Sequence, residues 1–288
     1  MILKQFFVPV EFSDKSSIGV ELAVLIAGKE GSVVHMIHSI GSDKRYNERK
    51  FLNNKIAYTA KIIQKLINYY RRRTNDEVKF DFSIVRDDLY NQILAHSKSN
   101  LGSSISIGLQ YESGLLTRSN VQKIINSSVT PVFTASKALP PTVSNIVLPL
   151  DLSPETKIKV PHTASIAKLF NAKVHILGIN TSSEDKKTLE LYSNQVSNYF
   201  EEEGISYTKQ TLSGGNIVDM ILYYTERVCA DFISIVSRQD KGLYAYLLSN
   251  YASNIVQKAP VPVMLIPLQT TGSVQLHPTS SENEIKNQ

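Results

Sequence analysis

Short apolar runs alternate with amphipathic stretches along this chain, in an order that occurs twice. Residues 6–10 and 146–150 are continuous apolar segments, the pattern of a strand covered on both faces in a parallel sheet. Each leads to a carboxylate, Glu11 or Asp151, and then to a serine, Ser13 or Ser153, placed to cap a helix. Pro154 follows at the first helical position, where its missing N–H costs nothing. The first helices then run to about Lys29 and Leu169, and Gly31 and Asn171, which tolerate a left-handed C-cap, stand at equivalent points. Residues 33–40 and 173–179 are second strands. Helical stripes through Ile63, Ile67 and Tyr70, and through Leu189, Val196 and Phe200, lead into third strands at 79–85 and 205–212. Helices near 89–99 and 216–228, fourth strands near 104–108 and 232–236, and a last helix and strand complete each copy.

The equivalence is positional. Pro9 recurs as Pro149 and His35 as His175, 140 positions later; the offset is 128 at Ile105 and Ile233 and 131 at Pro131 and Pro262. A period of that size is a domain and not a solenoid repeat. Strands alternating with helices demand parallel pairing and right-handed crossovers. The predicted fold is α/β: two tandem, doubly wound, parallel five-stranded sheets, Rossmann-like, at 1–136 and 144–268. A linker at 137–143 is stiffened by Pro140 and Pro141, and 269–288 reads as a polar tail. The last strands, around Val132-Phe133 and 263–266, would otherwise be exposed apolar edges, so they are expected to pair across an approximate two-fold as an internal pseudo-dimer. Further homodimerisation is left open.

With 42% hydrophobic and 20% charged residues, the chain reads as soluble and globular and not as fibrous or disordered. No apolar run approaches the roughly 18 residues of a membrane span, and no signal segment precedes the first strand, so a cytoplasmic protein without a membrane partner is expected. The single cysteine, Cys229, fits a reducing compartment and reads as a small apolar residue near a buried helix end. The net charge is +5, and its densest cluster, Arg71-Arg72-Arg73, is accounted for by the negative end of a helix dipole; no nucleic-acid partner is expected from it. Neither metal-ligand spacing among the six histidines nor a nucleophile-and-base arrangement is legible, which predicts no enzyme and no metal. His35 and His175 read as hydrogen-bonded structural residues, and Ser213-Gly214-Gly215-Asn216 as a turn opening a helix.

The strands opening Pro-Val-Glu-Phe-Ser and Pro-Leu-Asp-Leu-Ser, the second strands His-Met-Ile-His and His-Ile-Leu-Gly, and the closing Ala-Pro-Val-Pro-Val-Met-Leu-Ile-Pro together resemble the universal stress protein family, over about residues 3–135 and 144–267. The resemblance implies a phosphate loop before the last strand, Gly-x-x-Gly followed nine residues later by Gly-Ser or Gly-Thr, and an acid by the nucleotide. Here the four loop positions hold Val236, Gln239, Ser249 and Asn250 in the second copy, with the helix expected to begin after Asn250. In the first copy they hold Gly108, Tyr111, Arg118 and Ser119, in a loop shortened by three residues. Glycines serve there because the backbone must take positive φ and approach phosphates closely. Their loss predicts degenerate nucleotide sites and a stress-response interaction module acting through an unidentified protein partner, with no resident cofactor. The alternative is an adenine-nucleotide sensor, with at most weak ATPase activity, holding ATP weakly in the second copy, at Asp151, Ser237, Arg238, Ser249 and Asn250.

Overall fold

The computed structural model describes residues 3–41, 49–86, 88–100, 102–109, 118–180, 186–237 and 243–268. The first copy runs β1 (Gln5–Pro9), α1 (Asp14–Glu30), β2 (Val33–Ser39), α2 (Arg49–Arg73), β3 (Lys79–Val85), α3 (Leu89–Ser99), β4 (Ser103–Gly108), α4 (Arg118–Ser127) and β5 (Val132–Ala135). The second runs β6 (Asn145–Leu150), a 3-10 turn (Pro154–Lys157), α5 (Val160–Phe170), β7 (Lys173–Asn180), α6 (Lys186–Glu202), β8 (Tyr207–Ser213), α7 (Ile217–Arg227), β9 (Phe232–Ser237), α8 (Leu243–Lys258) and β10 (Val263–Pro267). The segment called a polar tail lies outside the described residues.

The ten strands form one continuous sheet, in the order β3-β2-β1-β4-β5-β10-β9-β6-β7-β8. Every pairing is parallel except the central one, where β5 and β10 run antiparallel. Its register is symmetric in the repeat: Phe133 faces Met264, its own equivalent, while Thr134 faces Val263 and Val132 faces Leu265. The last strands therefore meet as expected, in the register that an approximate two-fold through that pair would give, and the two predicted sheets are halves of one. Outside the sheet, Ser253 of α8 donates to Gln122 of α4, again equivalent positions.

Both faces are covered. Strand residues alternate between two apolar layers: Phe6 and Val8 join one with α1, α2, α5 and α6, while Phe7 joins the other with α3, α4, α7 and α8. Each layer holds residues of both copies, and between them the connecting segment is anchored by Val143, 1% exposed, and by Leu139 packed against the first layer. The outer strands β3 and β8 are blunted by polar residues, among them Lys79, Asp81, Lys209 and Gln210.

Local chemistry explains the helix ends. Ser13 closes a capping box with Ser16 at the start of α1, and Gly31 ends it at φ 76°. Asn171 ends α5 in the same left-handed form, at φ 53°. Cys229, expected to be buried, is exposed: it takes φ 47° just beyond α7, where the chain reverses into β9.

Phe133 is fully buried between Phe6, 5.5 Å away edge-on, and Phe232, 6.2 Å away, one from each copy. We expect Phe133→Ala to destabilise the chain by about 3 to 5 kcal/mol in urea unfolding monitored by circular dichroism, as a single transition shared by both copies. Two separated transitions, with only one shifted, would contradict a common core.

Candidate functional site

The strand order reverses between β1 and β4 and between β6 and β9. At such a switch point successive crossovers depart in opposite directions and leave a crevice beyond the carboxyl ends of the strands. In the second copy that crevice is bounded by Pro149 on β6 and Asp151 just after it, Lys159 ahead of α5, Ile217 on α7, Val236 on β9 and Tyr251 on α8. The enclosed space is about 20 Å³. That is room for roughly one water molecule.

Its floor is a compact polar network. Asp151 Oδ1 accepts from the Ser153 backbone N–H at 3.0 Å and from the Ser153 hydroxyl, so this carboxylate pins the turn that follows β6. The Asp151 N–H donates to Thr156 Oγ1 at 3.2 Å, and Lys159 Nζ donates to the same oxygen at 3.0 Å. Lys159 is only 4% exposed, an unusual position for an ammonium group. The Thr163 hydroxyl reaches both the Lys159 carbonyl, at 2.9 Å, and Ser234 Oγ, at 2.8 Å, tying α5 to β9.

Pro161 explains why the backbone opens here. A proline ring clashes with the carbonyl four residues earlier, so an α-helix cannot continue through it from the Pro154 turn. The helix expected to run unbroken from Ser153 to Leu169 is instead a 3-10 turn followed by α5, with Lys159 in the break. Ser153 makes no side-chain cap, because its hydroxyl is given to Asp151.

The first copy solves the same position differently. Lys159 corresponds to Gly19, in mid-α1, where an added Cβ would lie 2.5 Å from the Gly108 nitrogen and 3.0 Å from the Ile107 carbonyl carbon. Helix α1 thus rests directly on the β4 backbone, and Ser106, the equivalent of Ser234, donates to the Gly19 carbonyl at 2.7 Å. Above it Phe12, at φ 59°, packs on the His38 ring with centroids 4.5 Å apart. His38 Nδ1 lies 2.6 Å from the Val10 carbonyl oxygen, and burial holds the imidazole below its ordinary range despite that bond.

Asp151 lines the crevice; Ser237 ends β9, 2% exposed, its hydroxyl 3.4 Å from the Ile266 carbonyl. Arg238, with Gln239 and Lys241, lies outside the described residues. Ser249 and Asn250 were expected just ahead of a helix, but α8 begins at Leu243 and carries them as its seventh and eighth residues. Residues 243–250 contain no glycine or proline, so nothing stops the helix from starting early. Backbone N–H groups that deep in a helix bond the carbonyl four residues back and are not offered to an anion. Val236 sits in regular strand, paired to Ile266, with its branched side chain at the crevice. In the first copy Gly108 ends β4 and Arg118 and Ser119 open α4, while Tyr111 lies outside the described residues.

Sequence reasoning missed Lys159, Thr156 and Tyr251. The available signal was the mismatch of Lys159 with Gly19 in an otherwise matching repeat. The remaining chemistry is structural. His35 Nε2 lies 2.7 Å from Ser83 Oγ and its Nδ1 3.1 Å from Asp81, while His175 lies between Asn145 and Thr208 at 3.0 and 2.9 Å. Asn216 caps α7 after Gly214 and Gly215, both at positive φ. Among the described residues, no group of three or more His, Cys, Asp or Glu is placed to hold a metal ion, and no helix is long and apolar enough to cross a membrane.

Residues 142–267 match the sequence profile of the universal stress protein family. The second copy is a universal stress protein domain. A curated relative, universal stress protein A of Yersinia pestis, is 25% identical over 140 residues, covering 43% of this chain and 92% of the relative. Among solved structures, a universal stress protein from Archaeoglobus fulgidus DSM 4304 superposes with a TM-score of 0.72 at 16% identity, over 92% of this chain and 97% of its own. A protein of unknown function from Pseudomonas aeruginosa PAO1 gives 0.62 at 19% identity, over 92% of both chains. These two structural likenesses extend the universal stress fold over both copies.

Helix α5, whose N-terminal side borders the crevice, also carries His162, which burial pushes down to about 4 from 6.5. Between those values the unfolded chain binds a proton that the folded chain does not, so stability is complete above pH 6.5 and is lost as pH falls toward 4. Burial likewise lowers His35, His38 and His175, adding to the same trend. Urea midpoints measured across this window should fall with acidification. We expect His162→Gln to flatten the fall by up to about 3 kcal/mol. An unchanged slope in the variant would exclude His162 as its source.

Proposed function

We propose that this chain is a stress-response binding module of universal stress type whose crevices no longer take a nucleotide, so that it acts through its surfaces. One observation carries the reading: the second-copy crevice, with Lys159, Val236 and Tyr251 among its lining, leaves space for about one water. Supporting it, Asp151 is engaged by Ser153 in holding the turn, and the helix that would present N–H groups to phosphates starts before Ser249 and Asn250. In the first copy, Gly19 brings α1 onto the backbone of β4 where a ligand's crevice would open.

Each charge-assisted phosphate contact is worth roughly 1.5 to 3 kcal/mol, so losing two or three weakens binding by several powers of ten. Isothermal titration of the full chain with ATP and magnesium should give no micromolar binding, only affinity near about 1 mM or none. Protein purified and heat-denatured should release no adenine nucleotide into its supernatant. Micromolar binding, or stoichiometric release of nucleotide, would overturn the reading and promote the sensor alternative.

A further inference from the structure

Helix α2 carries eight lysines and arginines and no aspartate or glutamate, more positive charge than the net +5 of the whole chain. Its counterpart α6 has two lysines and three glutamates. Helix stability does not ask for this. Arg71, Arg72 and Arg73 suit the negative end of the dipole, but Arg49 and Lys50 stand in the first turn, against the positive end. Lys61 and Lys65, four residues apart, are like charges on neighbouring positions of the helix surface.

The same helix shows solvent its rings. Phe51, Tyr58 and Tyr69 are 37%, 63% and 52% exposed, three of the seven large apolar side chains so exposed among the described residues. Their spacing returns them to one face, and exposed Lys55, Lys61, Lys65 and Arg72 lie on either side of that line. Arg73 sits over the Tyr69 ring, 5.5 Å from its centroid, and reaches Glu21 at 3.4 Å. Asp76 and Glu77 follow beyond the helix end. The linear sequence showed only the triple arginine; folding as a helix aligns a basic stripe with interleaved aromatics about 37 Å long.

We propose that the outer face of α2 binds single-stranded nucleic acid, its cations following the phosphates and its rings stacking on bases. Charge complementarity selects a polyanion, and the rings select one whose base faces are open. A duplex hides those faces. A bilayer fits less well, because membrane-surface helices bind through an apolar stripe. In α2 that stripe, with Ile63, Ile67 and Tyr70, is already spent in the protein core. This inference does not depend on the state of the crevices.

The test is fluorescence anisotropy of the full chain with a labelled, mixed-sequence single-stranded RNA of about 20 nucleotides, from about 50 to about 200 mM salt. Neutralising about four phosphates should give a log–log salt slope near −3, and Lys61→Gln/Lys65→Gln/Arg72→Gln should reduce its size by about 2. Tyr58→Ala, which removes an exposed ring, should leave the fold intact and weaken binding about tenfold at fixed salt. The proposal is overturned if there is no binding at the lowest salt, or if binding ignores these substitutions. It is equally overturned by equal affinity for a duplex of the same length, or by binding to phosphatidylserine-containing vesicles without binding to RNA.

Discussion

The antiparallel meeting of β5 and β10 is the contact on which the rest of the molecule depends. A five-stranded sheet of this order would end in a short apolar edge, all four residues of β5 and all five of β10 being buried here. Unpaired, each edge would expose a row of backbone donors and acceptors beside apolar side chains, which invites association. Pairing each to the other satisfies both at once, and it does so in a register centred on equivalent residues, Phe133 and Met264. The apolar layers then run across the junction without a break, so neither copy's core is closed without its neighbour.

That constraint bears on the centre and spares the periphery, and the two copies have diverged accordingly. Position 19/159 holds a glycine in one copy and a buried lysine in the other, and each has remade the helix above it. Gly19 allows α1 to lie on the β4 backbone, whereas Lys159 needs the break that Pro161 imposes. Both arrangements retain a buried serine on the fourth strand, Ser106 or Ser234, that bonds upward to the helix. The anchor is kept while the geometry above it changes, and the sheet below is the same in both copies.

The fold was legible because burial on both faces leaves strands as unbroken apolar runs, and because a repeat tests every assignment twice. Strand bounds came within one or two residues. What escaped depends on competition between distant groups. The break before α5 follows from Pro161, eight residues past a plausible capping serine, whose ring forbids the continuous helix that the capping serine and apolar stripe suggested. The early start of α8 follows from an absence: with serine and asparagine at 249 and 250, and no glycine or proline between 243 and 250, helix formation was free to extend back to Leu243. The role of Asp151 was ambiguous on paper, since an acid at a strand end serves a nucleotide or a turn equally well. In the structure its Oδ1 accepts from both the N–H and the hydroxyl of Ser153, at the turn.

The charge of α2 was hidden for a related reason. Reading along the chain separates Lys55, Tyr58, Lys65 and Tyr69 by residues that turn inward, and only the helical period restores them to one surface. A helix whose inner face is fixed by the core retains freedom only on its outer face, and composition there reports demands other than folding. Helix α6 occupies the corresponding place under the same packing constraint, with Leu189, Val196 and Phe200 buried, and has nearly balanced charge. Packing therefore does not require the cations of α2. Among paired elements with equivalent cores, the difference between their solvent faces isolates what the fold itself does not need.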